Sequence, residues 1–285
     1  MQWSRYVRRG VVEWGVWLEE ELFSLQSLDE TLQPQHLLQE DPKILSRHLR
    51  RRRTAHIRSV DPESIRYLPP TSPQKILCAG LNYRDHALES GAELPGAPNF
   101  FIRFPDTLCG FGEALPYPAQ SEAMDYEGEL LVILGRTVHG RVHRREALAA
   151  VAGYSIFNDV SLRDYQFRTS QWTLGKNFPN SGPCGPRVTT PEELPEGARG
   201  LYLRTEVDGD VLQDGNTMDL LFDVATLIQA LAEVTPLHPG DLVATGTPAG
   251  VGFARKPPRF LQPGNLVRVE IEGLGFLENR VVPAP

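Results

Sequence analysis

The chain has 285 residues and a formal net charge of −7, long enough for one large domain, or one large and one small, and too acidic to suggest a nucleic-acid binder. Hydrophobic residues make up 41% and charged residues 23%, the balance of a soluble globular protein, and its plentiful Gly and Pro point to loops and short strands. Three scattered cysteines, Cys78, Cys109 and Cys184, contain no CxxC pair and argue against a disulfide framework or a thiolate zinc site.

No apolar run is long enough to span a bilayer, and the N-terminus lacks the apolar core of a signal peptide. The expected address is therefore the cytoplasm, with neither membrane nor nucleic acid as a partner. The one basic cluster, Arg50 to Arg53, is short and reads as solvated surface or interface.

In chain order, residues 1–70 form a segment of their own texture. "RRGVVEWGVWLE" suggests a hairpin around Gly10 and Gly15, and "ETLQPQHLLQEDPKILSRHLRRRR" a short broken helix. Three prolines in "YLPPTSPQ" mark a linker. A small N-terminal domain over 1–70, docked on a main domain over 71–285, is the expected organisation.

After the linker, "KILCAGLNY" is a strand running into a turn, "YRDHALESG" is helix-compatible with Gly91 as its stop, and "PNFFIRF" is a strand. "GELLVIL" is a continuously apolar strand of the kind buried on both faces, and "REALAAVAGYSIFNDVSLRD" is a helix followed by a strand ending at Asn158-Asp159. Residues 165–198 read as loop-rich. "GLYLRTEVDGDVLQDG" is a hairpin turning at Asp208-Gly209, and "MDLLFDVATLIQALAEV" has helical spacing. Strands alternate with Gly/Pro turns to the end. There is no internal repeat.

"MDYEGELLVIL" places Asp125, Glu127 and Glu129 at every second position where the buried strand begins, a period that puts all three on one face. Carboxylates so close repel, and a divalent cation removes the conflict. Asp159, ending a second apolar strand, offers a third oxygen ligand beside Glu127 and Glu129. An all-carboxylate set suits a hard ion, Mg²⁺ first, with Mn²⁺ and Ca²⁺ as alternatives. The same Glu-X-Glu also fits a solvated face.

On a helix, His86 and Glu89 lie at i and i+3 and can hydrogen-bond, either as an ordinary surface contact or as a pair that activates water. Lys176 in "QWTLGKNF" is either solvated or placed to meet an anionic substrate. "ATGTPAGVG" lacks the ending of a phosphate loop and fits better as a tight turn presenting Thr247 and backbone N–H groups.

Taken in order, "LNYRDHALE", "DYEGELLVILG", "GYSIFNDVSLRD", "GKNF", "HPGDLVATGTPAGVG" and "IEGLGFLEN" resemble the fumarylacetoacetate hydrolase family over about residues 75–282. The resemblance implies a mixed α/β, strand-rich fold: a β-roll catalytic domain with few long helices, usually dimerised as a homodimer, here with a small N-terminal domain. It implies Mg²⁺ or Mn²⁺ on Glu127, Glu129 and Asp159, and a water-activating dyad of His86 and Glu89 on a helix closing over substrate. Lys176 would meet the enolate, with Arg163, Gln166 and Thr247 binding substrate.

The implied activity is metal-dependent hydrolysis of a C–C bond in an acylpyruvate-like 1,3-diketo acid, a small-molecule 2-oxo acid. Oxaloacetate decarboxylation and hydroxymuconate-type isomerisation use the same enolate, and a catalytically silent metal-stabilised binding module is a further alternative. Four residues depart from the family pattern. Leu162 replaces a small residue, Arg103 a lysine, Asn177 the serine after the catalytic lysine, and Asn265 an aspartate; the first three lie near residues expected to touch substrate.

Overall fold

The computed structural model describes residues 1–54 and 56–284. In chain order its strands and helices are β1 Gln2–Arg8, β2 Val11–Leu18, β3 Glu21–Ser24, α1 Leu25–Leu28, α2 Pro34–Gln39, α3 Pro42–Arg52, β4 Arg66–Tyr67, β5 Ile76–Gly80, α4 Arg84–Glu89, β6 Asn99–Arg103, β7 Leu108–Cys109, β8 Leu115–Tyr117 and β9 Met124–Asp125. There follow β10 Gly128–Leu134, α5 Arg144–Ala149, β11 Val151–Asn158, β12 Ser161–Leu162, α6 Arg163–Gln166, α7 Thr173–Lys176, β13 Gly182–Thr189, β14 Tyr202–Val207, β15 Asp210–Asn216, α8 Val224–Val234, β16 Leu242–Ala244, β17 Leu266–Ile271 and β18 Gly275–Pro283. The class is the strand-rich mixed α/β one expected, and the sheets do not close into a barrel.

The main sheet has eleven strands on a backbone order β3-β2-β1-β13-β11-β10-β16-β5-β6, with β4 beside β1 and β7 beside β13. A second, five-stranded sheet runs β15-β14-β17-β18-β8. At the centre, β10 and β11 are buried along their whole length, as their unbroken apolar runs require.

Alternation along β10 divides the interior. Leu130, Val132 and Leu134 face a core shared with α8 (Leu227, Ile228, Leu231) and with β17, while Leu131 and Ile133 face a second core. That second core holds Trp3, Val16, Phe23, Leu37, Leu45 and Leu49 of the first fifty residues. The N-terminal segment thus covers one face of the sheet, and β1 extends it by pairing with β13 at Gln2↔Thr189 and Trp3↔Val188.

Two expectations need correcting. The N-terminal hairpin is a three-stranded meander, β1-β2-β3, with Gly15 inside β2. Residues 165–198, read as loop-rich because of their glycines and prolines, contain the eight-residue strand β13. Its neighbours divide it: β7 pairs at Gly182 and Pro183, β1 at Val188 and Thr189, and the ladder to β11 shifts register between Tyr154 and Ile156. A broken ladder leaves places for residues that cannot donate, which is where a strand tolerates proline.

Elsewhere local chemistry decides. The β14–β15 hairpin turns at Asp208 and Gly209 with φ of +53° and +87°, the pair of positive values that a type I′ turn needs. Asp223 caps α8 by accepting from Thr226 N at 3.0 Å. Arg53, from the basic cluster, pairs with Glu19 at 2.7 Å and with Glu21, and lies 5.0 Å from the Phe23 ring. Among the described residues no helix is long and apolar enough to cross a membrane.

Candidate active site

The register of β10 and β11 places the acids together. Gly128 pairs with Asn158, so the residues just outside each strand, Glu127 and Asp159, adjoin, and Asp159 N donates to Glu127 O at 2.9 Å. Asn158 Oδ1 accepts from Glu127 N at 3.0 Å. Ligand oxygens of Glu127, Glu129 and Asp159 lie within 4.8 Å of one another, all three residues buried.

Asp125 is not part of this group. The chain leaves the ladder at Tyr126 and Glu127, between β9 and β10, which breaks the two-residue period. The Asp125 carboxylate instead accepts from Gly252 N at 2.7 Å, Phe253 N at 3.0 Å and Arg163 Nε at 2.8 Å. It is the buried post to which the 250–253 loop and Arg163 are tied.

Three cations pair with Glu127 and Asp159. Lys176 Nζ sits between Glu127 at 2.7 Å and Asp159 at 2.6 Å. Arg163 Nη1 reaches Glu127 at 2.6 Å. Arg103, wholly buried, donates to Asp159, to Ser181 Oγ at 2.5 Å and to Val160 O at 3.3 Å. Gly175 makes the placement of Lys176 available, because a Cβ there would meet Gln166 Cα at 2.5 Å and force α7 off α6.

Burial pushes the Glu127 carboxyl up, but Lys176 and Arg163 outweigh it and hold the group below the ordinary range. Burial lowers the Lys176 ammonium, and Asp159 and Glu127 more than reverse that. Glu129 goes the other way. Burial, then Asp159 and Glu127, drive its carboxyl well above its usual value.

Glu129 also accepts only one hydrogen bond, from Gly246 N at 2.9 Å, and among the described residues no cationic side chain pairs with it. A buried carboxylate without a counter-ion, facing two others, is what a divalent cation would satisfy, and the all-oxygen donor set suits a hard one. The residues present therefore fit a metal ion. Gly246 is required for its part: its φ is +95°, and a Cβ would stand 2.9 Å from Asn82 Cβ.

Across from the acids, Asn82 pins the start of α4, donating to Thr245 O at 2.8 Å and Phe222 O at 2.9 Å. On that helix His86 Nδ1 lies 3.0 Å from Glu89 Oε1. Glu89 in turn accepts from Gly250 N at 3.0 and 2.9 Å, so the loop after β16 holds the helix to the site. With Nδ1 engaged, Nε2 is the nitrogen left for chemistry.

These groups border one cavity of about 140 Å³. His86, Glu127, Glu129, Arg163, Gln166, Lys176 and Thr247 line it, together with the aromatic rings of Phe101, Phe167, Trp172 and Phe253. Of the residues singled out from the sequence, His86, Glu127, Glu129, Arg163, Gln166, Lys176 and Thr247 border this one cavity, Glu89 and Asp159 lie behind it against His86 and Lys176, and Asp125 stands apart. Gln166 accepts from Arg163 Nη1 at 2.8 Å. The Thr247 hydroxyl donates to Gly128 O at 2.9 Å and accepts from Gln213 at 2.7 Å.

None of the four departures from the family pattern itself borders the cavity, although Leu162 and Asn177 adjoin the lining residues Arg163 and Lys176 in the chain. Arg103 lies behind Asp159, Leu162 is in a core with Met124 and Val160, and Asn177 caps β6 by accepting from Phe104 N at 2.7 Å. The contributions of Asn158, Gln213 and Trp172 were not anticipated. Only Trp172 carried a signal, as the sole tryptophan near the lysine motif.

A family model described as fumarylacetoacetate (FAA) hydrolase C-terminal matches residues 75–282. The human protein named as a mitochondrial oxaloacetate tautomerase is 39% identical over 216 residues, 75% of this chain and 68% of its own. The solved fumarylacetoacetate hydrolase of Exiguobacterium antarcticum superposes with a TM-score of 0.83 at 31% identity, covering 100% of both chains. The 5-carboxymethyl-2-hydroxymuconate delta-isomerase of Mycobacterium smegmatis gives 0.80 at 28% identity, over 99% of this chain and 100% of that one.

Proposed function

The chain belongs to the fumarylacetoacetate hydrolase family, and from that premise we propose that it converts a small 2-oxo acid through its enolate, first of all by keto–enol tautomerisation of an oxaloacetate-like 2-oxo diacid. The observation that carries this reading is one small cavity bordered together by His86, by Glu127 and Glu129 of the acid triad, and by Lys176, whose ammonium reaches Glu127 and Asp159. At about 140 Å³ it is well below the ~300–1,000 Å³ of drug-sized sites. The relatives named as oxaloacetate tautomerases support the same substrate.

Glu127, Glu129 and Asp159 would hold the divalent ion, Mg²⁺ before Mn²⁺ or Ca²⁺, which when bound supplies Lewis-acid polarisation of the 2-oxo group. The protein's own residues do the rest. His86 Nε2 takes the proton from C3, with Glu89 fixing the ring and raising its basicity. The C–H electron pair becomes the C2=C3 double bond, and the carbonyl pair becomes the enolate oxygen. The Lys176 ammonium holds that charge in a water-poor site, where it counts for most. Return of a proton to the oxygen completes the enol, and the reverse order restores the ketone.

The aromatic lining of Phe101, Phe167, Trp172 and Phe253 favours a second reading, hydrolysis of acylpyruvates. Their acyl groups would lie on those rings while His86 activates water instead of abstracting a proton. One assay set tests both: enol-to-keto conversion of oxaloacetate followed by absorbance, and pyruvate release from an acylpyruvate panel, each with Mg²⁺ and with EDTA. Mg²⁺-dependent acceleration of the first supports the tautomerase, and release in the second supports the hydrolase. Neither above the buffer rate would overturn the enolate reading.

A further inference from the structure

Most polar groups around the cavity are taken up by the protein itself. Lys176 gives two of its three N–H donors to Glu127 and Asp159, keeping one for the enolate, and Arg163 gives Nε to Asp125 and Nη1 to Glu127 and Gln166. Two polar atoms are different. Arg163 Nη2 and Ser90 Oγ are buried without any hydrogen-bond partner among the described residues, and both residues border the cavity. Buried polar groups in native proteins are paired in the large majority of cases, so two orphans on the walls of one cavity mark where a ligand atom completes the structure.

Their chemistry is specific. A guanidinium N–H and a hydroxyl both donate, and they sit where no protein carboxylate reaches them. A ligand carboxylate, with two acceptor oxygens, answers both at once, and the bond from arginine is charge-assisted. We propose that Ser90 and Arg163 Nη2 together receive the second carboxylate of a 2-oxo dicarboxylate, which makes Ser90 a specificity-determining residue. This rests on the enolate reading above and adds to it the discrimination between diacids and monoacids. A tail without a carboxylate leaves both donors buried and unpaired, the situation in which a site discriminates most strongly.

The position of Ser90 has a second consequence. It is the C-cap of α4, its N–H donates to His86 O at 3.1 Å, and it directly follows Glu89. A carboxylate held between Ser90 and Arg163 therefore ties the end of the helix bearing His86 to α6 across the cavity. The diacid's own distal group fixes the helix that carries the proton-transferring ring.

The test uses unreactive ligands that differ only in that group: malate and lactate, titrated calorimetrically into the full chain with Mg²⁺. Wild type is expected to bind malate at least about tenfold more tightly than lactate, the worth of a hydrogen bond to a charged group. Ser90→Ala should lose about tenfold in malate affinity, keep its lactate affinity, and melt no lower than wild type. Equal affinity for the two ligands in wild type, undetectable malate binding, or a preference that survives Ser90→Ala would each overturn the proposal. A chain that fails to turn over oxaloacetate yet shows the Ser90-dependent preference would sink the tautomerase reading and leave this one standing.

Discussion

Replacing Lys176 by methionine removes a charge and leaves the volume nearly unchanged. Lys176 is 1% exposed, with Nζ at 2.7 Å from Glu127 and 2.6 Å from Asp159. Removing one partner of a buried ion pair costs about 3–5 kcal/mol. Here each acid keeps another cation, Arg163 on Glu127 and Arg103 on Asp159, so the lower end, about 3 kcal/mol, is expected. For a domain somewhat larger than 150–250 residues, at about 2 °C per kcal/mol, Lys176→Met should melt about 6 °C below wild type in EDTA. A divalent cation restores the missing positive charge, so Mg²⁺ should raise the melting temperature of the variant more than that of wild type. The assay is differential scanning fluorimetry in paired EDTA and Mg²⁺ buffers. Equal melting temperatures in EDTA would refute the claim that this ammonium neutralises the acid cluster. A Mg²⁺-induced rise no larger than in wild type would refute the claim that the cation and the ammonium answer the same charge.

Glu129→Gln removes the one ligand without a counter-ion. It should make the chelated protein roughly 1–2 kcal/mol more stable, by relieving an unsatisfied buried group, and abolish the Mg²⁺-induced rise in melting temperature; a rise that persists would show that the ion does not use Glu129. Asp223→Ala deletes the cap of α8 at a cost of about 1 kcal/mol, or about 2 °C, read by thermal melts at pH 7. Burial opposes ionisation of Asp223, but the Thr226 N–H and hydroxyl and the Arg144 guanidinium outweigh it and hold the carboxyl below its ordinary 3.8. A depressed folded value means that the stabilisation is present above the unfolded value and lost as pH falls through the folded one. The gap between wild type and variant should therefore be full above the ordinary 3.8 and narrow as pH falls below it, and a gap that stays constant through that range would contradict the assignment.

What the sequence disclosed was chiefly what is local in one dimension. Glu-X-Glu at the mouth of a fully apolar run, and an acid ending a second such run, are visible because strands β10 and β11 are buried on both faces and have no other use for charge. His86 and Glu89 are legible because three residues along a helix is a contact distance. Asp125 was misplaced for the same reason: the two-residue period assumes an unbroken strand, and nothing local marks the point where the chain leaves the ladder at Tyr126. Strand β13 was invisible because its prolines and glycines signal turns, and only the split pairing with β7, β1 and β11, set by residues far away in sequence, makes them acceptable. Arg103 was legible only as a residue near the site, and its contacts to Asp159 and Ser181 depend on the folded arrangement of distant strands. Ser90 had no signal at all, since an orphaned hydroxyl exists only once the cavity is built around it.

The central claim is that this cavity forms an enolate from a 2-oxo acid with His86 as the proton carrier. Exchange of the C3 protons of oxaloacetate for deuterium, followed by NMR in D₂O with the enzyme and Mg²⁺, reads that step without requiring any later bond to break. Exchange well above the buffer rate, lost in EDTA and reduced at least about a hundredfold by His86→Ala, the typical worth of a general base, is the predicted result. Exchange no faster than buffer, or undiminished in His86→Ala, would contradict it.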